Sequence, residues 1–362
     1  MLECYAIGPD RLDEFIGLAR RLNGGNSRWI APLFQPLFAE LSGTDAFGTY
    51  GRQQLFLCEN NGRVAGRIGA ITNPRLVDVA GAVVGQLGYF ECEDNADVAR
   101  ALIDAAGDWL AAQGAGSMLG PICGGTHRLH RFLIDGFDTE PFLFEPRNPP
   151  HYPRLFEAAG FEIAHQWASY EFTQHQLDRV RTIMEAIARR TPDRYRIDLP
   201  DPSDPMPVLA RIHPILDSLW TGHLGYAFLD LVEFAEAYGG LLAIMDQGHL
   251  GVLHDAASDA DVGCALYYPD YADEVRALDG DASGWAAWKG AAPVRRYILH
   301  TVALAPEARN TGAAAGFIRQ ALTDIDRHGA RPFMAGLVTE DMTFFSRLAK
   351  ATRRYAMFSR GM

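Results

Sequence analysis

The string His300-Thr301-Val302-Ala303-Leu304-Ala305-Pro306-Glu307-Ala308-Arg309-Asn310-Thr311-Gly312-Ala313-Ala314 runs from an apolar, strand-like segment through a proline turn into the helix-periodic stretch 315–327. Where a strand turns directly into a helix, the first helical N–H groups are unpaired and point outward with the positive end of the helix dipole. A pyrophosphate fits such a place. The near absence of side chain at Gly312, Ala313 and Ala314 lets phosphates approach the backbone, although the same small residues would serve a helix start that merely packs tightly. Strand alternation places His300 on the same face as Val302 and Leu304. An imidazole near its unperturbed pKa of ~6.5 accepts a proton at neutral pH, so His300 is a candidate base, with a hydrogen-bonded structural histidine as the alternative.

The elements that must hold these groups repeat one order twice. The first half predicts a helix-rich opening over 9–41 and strands over 54–59 and 64–71 about the turn Asn60-Asn61-Gly62. A strand over 83–92 and an amphipathic helix over 96–113 follow, the helix capped by Asn95 and stopped by Gly114. A strand over 117–122, a long loop, a helix over 151–159 and a strand over 162–172 complete the half. The second half predicts a strand over 195–199, helices over 206–220 and 229–238, and strand material over 240–252 broken at Asp246-Gln247-Gly248. Strands over 261–268 and 296–304, a helix over 312–328, a strand over 333–338, a helix over 342–349 and a strand over 354–359 end the chain. The repetition implies two modules, 1–172 and 194–362, joined by a connector over 173–193.

The loop resembles the central motif of the GNAT acyltransferase superfamily, a strand followed by R/Q-x-x-G-x-G/A opening a helix; Arg309, Gly312 and Ala314 stand at the three defined positions. The resemblance implies an α/β fold of two tandem modules, each a twisted mixed sheet flanked by helices. It implies that strand 301–304 splays from its neighbour at Ala305-Pro306, so that Val302, Ala303 and Leu304 pair with a pantetheine arm while Arg309, Asn310, Thr311, Gly312, Ala313 and Ala314 hold the pyrophosphate. The co-substrate would be acyl-CoA or the phosphopantetheine of an acyl carrier protein, with no tightly bound cofactor. His300 matches the catalytic histidine of arylalkylamine acetyltransferases in this superfamily. Where the family has F-Y-x-x-L-G, this chain has Phe344-Phe345-Ser346-Arg347-Leu348-Ala349, and phenylalanine has no proton to give. Three readings stay open: a thiolate leaving unprotonated or through water, a substitute donor such as Ser346 or Tyr297, or binding without catalysis. Glu340 and Asp341 would orient an incoming ammonium, or simply form an acidic first turn.

In the first half, Glu91, Glu93, Asp94, Asp97 and Asp104 crowd the corresponding helix start and would repel a pyrophosphate, so this module is expected not to bind CoA. Its strings Gly88-Tyr89-Phe90-Glu91-Cys92-Glu93-Asp94, Gly120-Pro121-Ile122, Leu133-Ile134-Asp135-Gly136-Phe137-Asp138 and the run from Asn148-Pro149-Pro150 to Gly160-Phe161 resemble uncharacterised bacterial GNAT-like proteins. The bipartite plan is also similar to maturases that attach fatty acyl groups to ribosomally made peptides. The segment 120–150, with His127, Arg128, His130, Arg131 and Arg147, is long for a loop and is a candidate binding element. His127 and His130 lack a third ligand nearby, so no metal site is expected.

A length of 362 residues favours two domains, and 48% hydrophobic against 22% charged residues is globular composition. A net charge of −12 argues against nucleic acid as a partner. Acids between Asp255 and Asp281 would suit a cationic acceptor such as a basic peptide or metabolite, or would simply form a solvated loop face. No apolar run is long enough to span a bilayer and the N-terminus lacks secretory character, so a cytoplasmic protein without a membrane span is expected. Cys4, Cys58, Cys92, Cys123 and Cys264 read as reduced core thiols. The function expected is an N-acyltransferase, moving an acetyl to fatty acyl group from a pantetheine thioester to a primary amine. The alternatives are a non-catalytic acyl-CoA-binding protein or a tRNA-dependent aminoacyltransferase of the tandem type, the latter awkward for so acidic a chain.

Overall fold

The structure is a computed structural model that describes residues 1–191, 193–329 and 333–362. Pro192 of the expected connector lies outside the described residues. From the N-terminus run β1 (Leu2–Ile7), α1 (Leu12–Asn23), α2 (Phe34–Ser42), β2 (Arg52–Asn60), β3 (Arg63–Val77), β4 (Val83–Cys92), α3 (Ala96–Ala112), β5 (Ala115–Gly120), β6 (Phe132–Asp135), α4 (His151–Ala158) and β7 (Glu162–Phe172). There follow α5 (Gln174–Ala188), β8 (Tyr195–Asp198), α6 (Pro205–Trp220), α7 (Leu231–Ala243), β9 (Leu250–Asp255), β10 (Ala260–Pro269), α8 (Ala272–Leu278), β11 (Tyr297–Leu304), α9 (Ala314–His328), β12 (Phe333–Thr339), α10 (Thr343–Ser346) and β13 (Ala351–Gly361).

Local chemistry accounts for the well-defined ends. The β2–β3 turn uses left-handed Asn61 and Gly62, the twist a two-residue hairpin needs. The side chain of Asn95 accepts from the N–H groups of Asp97 and Val98, and α3 buries Val98, Leu102, Ile103, Ala106 and Leu110, a stripe at three- and four-residue spacing. Thr173 with Gln176, and Asp230 with Glu233, form capping boxes that start α5 and α7.

The strands join one mixed sheet in the order β1-β2-β3-β4-β5-β13-β7-β12-β11-β10-β9-β8, with β6 also on β13. Two pairs in it are parallel, β4 with β5 around α3 and β11 with β12 around α9. The last strand of the chain sits between β5 and β7, so the sheets of the two halves are continuous through it. On β7, β12 and β11 the two faces bury different clusters. Ala168, Tyr170, Leu299, Phe333 and Ala335 pack with α5 and α9, whereas Ile298 and Met334 pack with α6, α7 and Phe142 on the opposite face.

Several sequence expectations are corrected. β1, β6 and α8 were not anticipated, because each is short and lacks a long period. Residues 240–243 finish α7 rather than forming a strand, and the expected helix over 342–349 is a single turn, α10. Cys4 and Cys58 are disulfide-bonded rather than reduced; they face one another in the β1–β2 register, a pairing that linear spacing does not reveal. Cys92, Cys123 and Cys264 are free and buried, as expected. Among the described residues, no helix is long and apolar enough to cross a membrane, and no group of three potential ligands could hold a metal ion.

Candidate acyl-donor site

β11 and β12 pair only at Tyr297 with Phe333, Ile298 with Met334 and Leu299 with Ala335. From His300 onward β11 runs without a partner on that side among the described residues, so the strands part at His300, earlier than the Ala305-Pro306 expected. On its other side β11 carries a bulge: Tyr267 faces Leu299 and Leu266 faces Thr301, which leaves His300 as the extra residue. One inserted residue reverses the alternation beyond it. Val302 and Leu304 therefore pack with the α9 side, whereas the His300 ring lies 6.0 Å from that of Tyr268 on the opposite face. The expectation that His300 shares a face with Val302 and Leu304 is thereby corrected. Across the gap, Leu337 of β12 has φ +55°, and its N–H donates to Ser169 Oγ at 3.0 Å. Both walls of the opening are thus locally irregular backbone.

Beyond β11 the chain turns through Arg309, left-handed Asn310 (φ +60°) and Gly312 (φ +89°) into α9. Thr311 Oγ1 donates to Ala308 O at 2.7 Å and accepts from Ala313 N–H at 3.3 Å. Ala315 N–H donates to Gly312 O, while those of Gly312 and Ala314 donate to no group among the described residues. These open donors at the start of a 15-residue helix fit an anion. Arg309 donates from Nε to Leu304 O at 3.0 Å and keeps its guanidinium exposed beside them. A Cβ on Gly312 would stand 2.6 Å from Thr191 Oγ1 and 2.8 Å from the Ile187 side chain. Glutamate there would disturb the α5 contact and the left-handed backbone at once, so Arg309 is the cleaner probe. Arg309→Ala is expected to raise the Kd for CoA by roughly tenfold, the usual scale of a charge-assisted hydrogen bond; calorimetric titration measures it, and an unchanged Kd would remove Arg309 from the site.

His300 Nδ1 is 2.8 Å from Thr301 Oγ1. In the tautomer whose Nδ1–H donates to that hydroxyl, Nε2 carries the lone pair. Burial, reinforced by the Arg131 guanidinium, pushes its pKa down to about 4, well below the ordinary value expected from the sequence. The other candidates are engaged elsewhere. Glu340 is ion-paired with Arg354, Ser346 Oγ donates to Thr343 O at 3.0 Å, and Tyr297 is buried against Tyr267 and His249. Phe345 is enclosed by Tyr170 and Phe172. Next to it, Leu299, Ile318, Phe333, Phe344 and Leu348 border a slit of about 20 Å³, room for one water and not for an acyl tail.

Over its full length the chain superposes on a tandem GNAT protein from the clavulanic acid biosynthesis pathway, with a TM-score of 0.54, 12% identity and 98% of that chain covered. It also superposes on a probable N-acyltransferase from Enterococcus faecalis V583, with a TM-score of 0.56, 12% identity and 73% of that chain covered. The chain has the tandem GNAT fold. No protein-family model matches the sequence. Among curated proteins it is 28% identical over 286 residues to the bacterial ceramide synthase of Caulobacter vibrioides, which spans 77% of this chain and 73% of that protein. Protein YghO of Escherichia coli is 30% identical over 155 residues, 43% of this chain and 40% of that protein.

The first half of the chain has the same parting of parallel strands. β4 and β5 pair from Val83 to Gln86 and then separate, but here the opening is filled. Tyr152 of α4 accepts from Cys92 N–H at 3.1 Å and donates to Glu91 at 2.6 Å, and His151 Nε2 lies 2.9 Å from Cys92 O. Side chains of α4 occupy the N–H and O of Cys92 at the end of that edge, and Asn95 takes the N–H groups of Asp97 and Val98 at the start of α3. The plug formed by His151 and Tyr152 was not recognised from sequence, where only the carboxylates argued against CoA.

Proposed function

We propose that this chain is an N-acyltransferase that carries an acyl group from a thioester of CoA, or of a carrier protein's phosphopantetheine, to a primary amine. The observation that carries the reading is the unpaired edge of β11 from His300 to Leu304, leading directly into the open N–H groups at Gly312 and Ala314. A pantetheine arm laid along that edge would satisfy its backbone groups and set its pyrophosphate at the α9 N-terminus. The acceptor nitrogen then attacks the thioester carbonyl carbon, the C–S bond breaks and the thiolate leaves. The proton lost by the nitrogen passes to His300 Nε2. With phenylalanine at position 345, the thiolate leaves as the anion or takes a proton from water. Arg309, Asn310, Thr311, Gly312, Ala313 and Ala314 form the phosphate loop, Val302, Ala303 and Leu304 the pantetheine edge, and the first module shapes the acceptor side.

The ceramide synthase relative favours a fatty acyl donor and a long-chain amine, since a ceramide is the amide of those two. A basic peptide is less favoured. Of the acids between Asp255 and Asp281, Asp255, Asp261, Asp270, Asp273 and Asp279 are already ion-paired to arginines, which leaves little free negative field for steering. Incubation with acyl-CoAs of two to sixteen carbons and dodecylamine, followed by mass spectrometry, is expected to yield the amide and an equivalent of free thiol. Thiol release without amide would reduce the activity to thioester hydrolysis, and no release from any donor would leave a binding protein.

A further inference from the structure

The segment between β5 and β6 turns back on itself. Ile122 bridges to His130, and Arg131 N–H donates to Pro121 O at 2.9 Å. Arg131 itself is held at φ +67°, a left-handed conformation that a long side chain rarely adopts and that aims its guanidinium inward. The guanidinium lies 4.2 Å from the centre of the Trp167 ring. Its Nη2 donates to His130 Nε2, whose ring is fixed by Nδ1–H donating to Arg128 O at 2.8 Å. Nε and Nη1 are buried and have no hydrogen-bond partner among the described residues. Among the described residues no carboxylate is paired with Arg131, whereas its neighbours Arg128 and Arg147 are both ion-paired. Desolvation without a counter-charge pushes the pKa of Arg131 down to about 9.

A buried cation with two idle donors is costly unless something accepts from them. The face on which it lies says what that is. Trp167 belongs to a cluster with Leu133, Tyr355 and Met357, and the half-buried Leu337 is shared between that cluster and the one containing Ile298 and Tyr268. Arg131, Trp167, Leu337 and His300 therefore follow one another on a single face of the sheet, across the opening between β12 and β11. Arg131 is near enough to His300 to lower its basicity.

We propose that Arg131, supplied by the first module, binds an electron-rich oxygen, a carboxylate or a carbonyl, carried by the acceptor close to its reacting amine. This deepens the acyltransferase reading and rests on it for the identity of the ligand as acceptor. With the amine at His300, such an oxygen reaches in the guanidinium plane toward the idle Nε–H and Nη1–H, while Trp167 packs against a face of the group. Arginine only donates, so the preferred group is an oxygen without a proton of its own, and a plain alkylamine leaves the cation unsatisfied.

Three probes of one chain length separate the possibilities: dodecylamine, 1-aminododecan-2-one and 2-aminododecanoic acid, each titrated calorimetrically into wild-type protein, Arg131→Gln and Arg131→Lys. The wild type is expected to bind one or both of the oxygen-bearing amines roughly 10- to 100-fold more tightly than dodecylamine, and Arg131→Gln to bind all three alike. Preference for the acid alone identifies a carboxylate, and preference for the ketone identifies a carbonyl. Arg131→Lys is expected to keep part of the preference, which a purely structural arginine would not do. An equal preference in wild type and Arg131→Gln, or no binding of any probe, overturns the proposal. The binding readout does not depend on turnover: an intact preference without amide formation would sink the acyltransferase reading and leave the oxygen-binding site standing.

Discussion

Alanine at position 300 is expected to lower kcat for amide formation by about 100-fold or more, within the range of a positioned general base, while Kd for CoA stays within about twofold. The pH dependence makes the test specific. Burial holds the folded pKa of His300 near 4, so the imidazole is neutral, and able to take a proton, at every pH above that. The wild-type rate should therefore be limited by this group only below about pH 5, where protonation removes the base. A limb near the ordinary value of ~6.5 would mean that the ring is better solvated than its surroundings suggest. A variant that keeps the wild-type rate would remove His300 from the mechanism. The measurement must allow for stability. His127, His130 and His300 all have folded pKa values depressed first by burial, the first and last to about 4. The unfolded chain binds more protons than the folded one once the pH falls below ~6.5, so the stability these groups contribute is full above that value and is lost as pH falls toward 4. Short assays, with the folded fraction followed by circular dichroism at each pH, separate loss of the base from loss of the fold.

What the sequence disclosed and what it withheld divide along physical lines. The β11-to-α9 junction was legible because a strand, a turn and a small-residue helix start are local in sequence, and the cap at Asn95 was legible for the same reason. The placing of β13 between β5 and β7 was not legible, since no local period tells a strand which partner it will find. His300 was correctly placed on the strand but assigned to the wrong face, because a bulge is defined by the register of two strands and only one of them can be read at a time. Arg131 was visible merely as one of several basic residues in a long loop. Its distinction from Arg128 and Arg147 lies in lacking a carboxylate partner among the described residues, a fact of packing. Glu340 and Ser346 followed from a motif whose helix here shrinks to one turn, so the spacing that made them neighbours of the chemistry no longer applies. The disulfide between Cys4 and Cys58 likewise depends on cross-strand register and not on sequence separation.

The strand that joins the two halves carries a buried charge. Arg353 of β13 is 1% exposed and pairs with Glu145, whose side chain is fully buried, at 3.1 Å. It also donates to Glu140 O at 2.8 Å. Glu145 in turn accepts from Tyr355 at 2.5 Å, Ser169 Oγ donates to Tyr355 at 3.2 Å, and Leu337 N–H donates to Ser169. One chain of contacts thus runs from the buried ion pair to the irregular residue that walls the opening beside His300. Arg353→Met removes the cation and leaves a desolvated carboxylate facing Arg147 alone, at 3.7 Å. Orphaning one member of a buried pair typically costs about 3–5 kcal/mol, and the midpoint of thermal unfolding is expected to fall by roughly 5 °C. Glu145→Gln combined with Arg353→Met removes the stranded charge while keeping an oxygen for Tyr355, and is expected to recover more than half of that loss. A double variant as unstable as Arg353→Met would mean that Arg353 acts through its packing against Phe142 rather than through charge. The two variants should also differ at the donor site. Where Glu145 has lost Arg353 and keeps only the longer Arg147 contact, the Tyr355 and Ser169 contacts that hold Leu337 are pulled toward it, and Kd for CoA is expected to rise several-fold, whereas the neutral glutamine restores it.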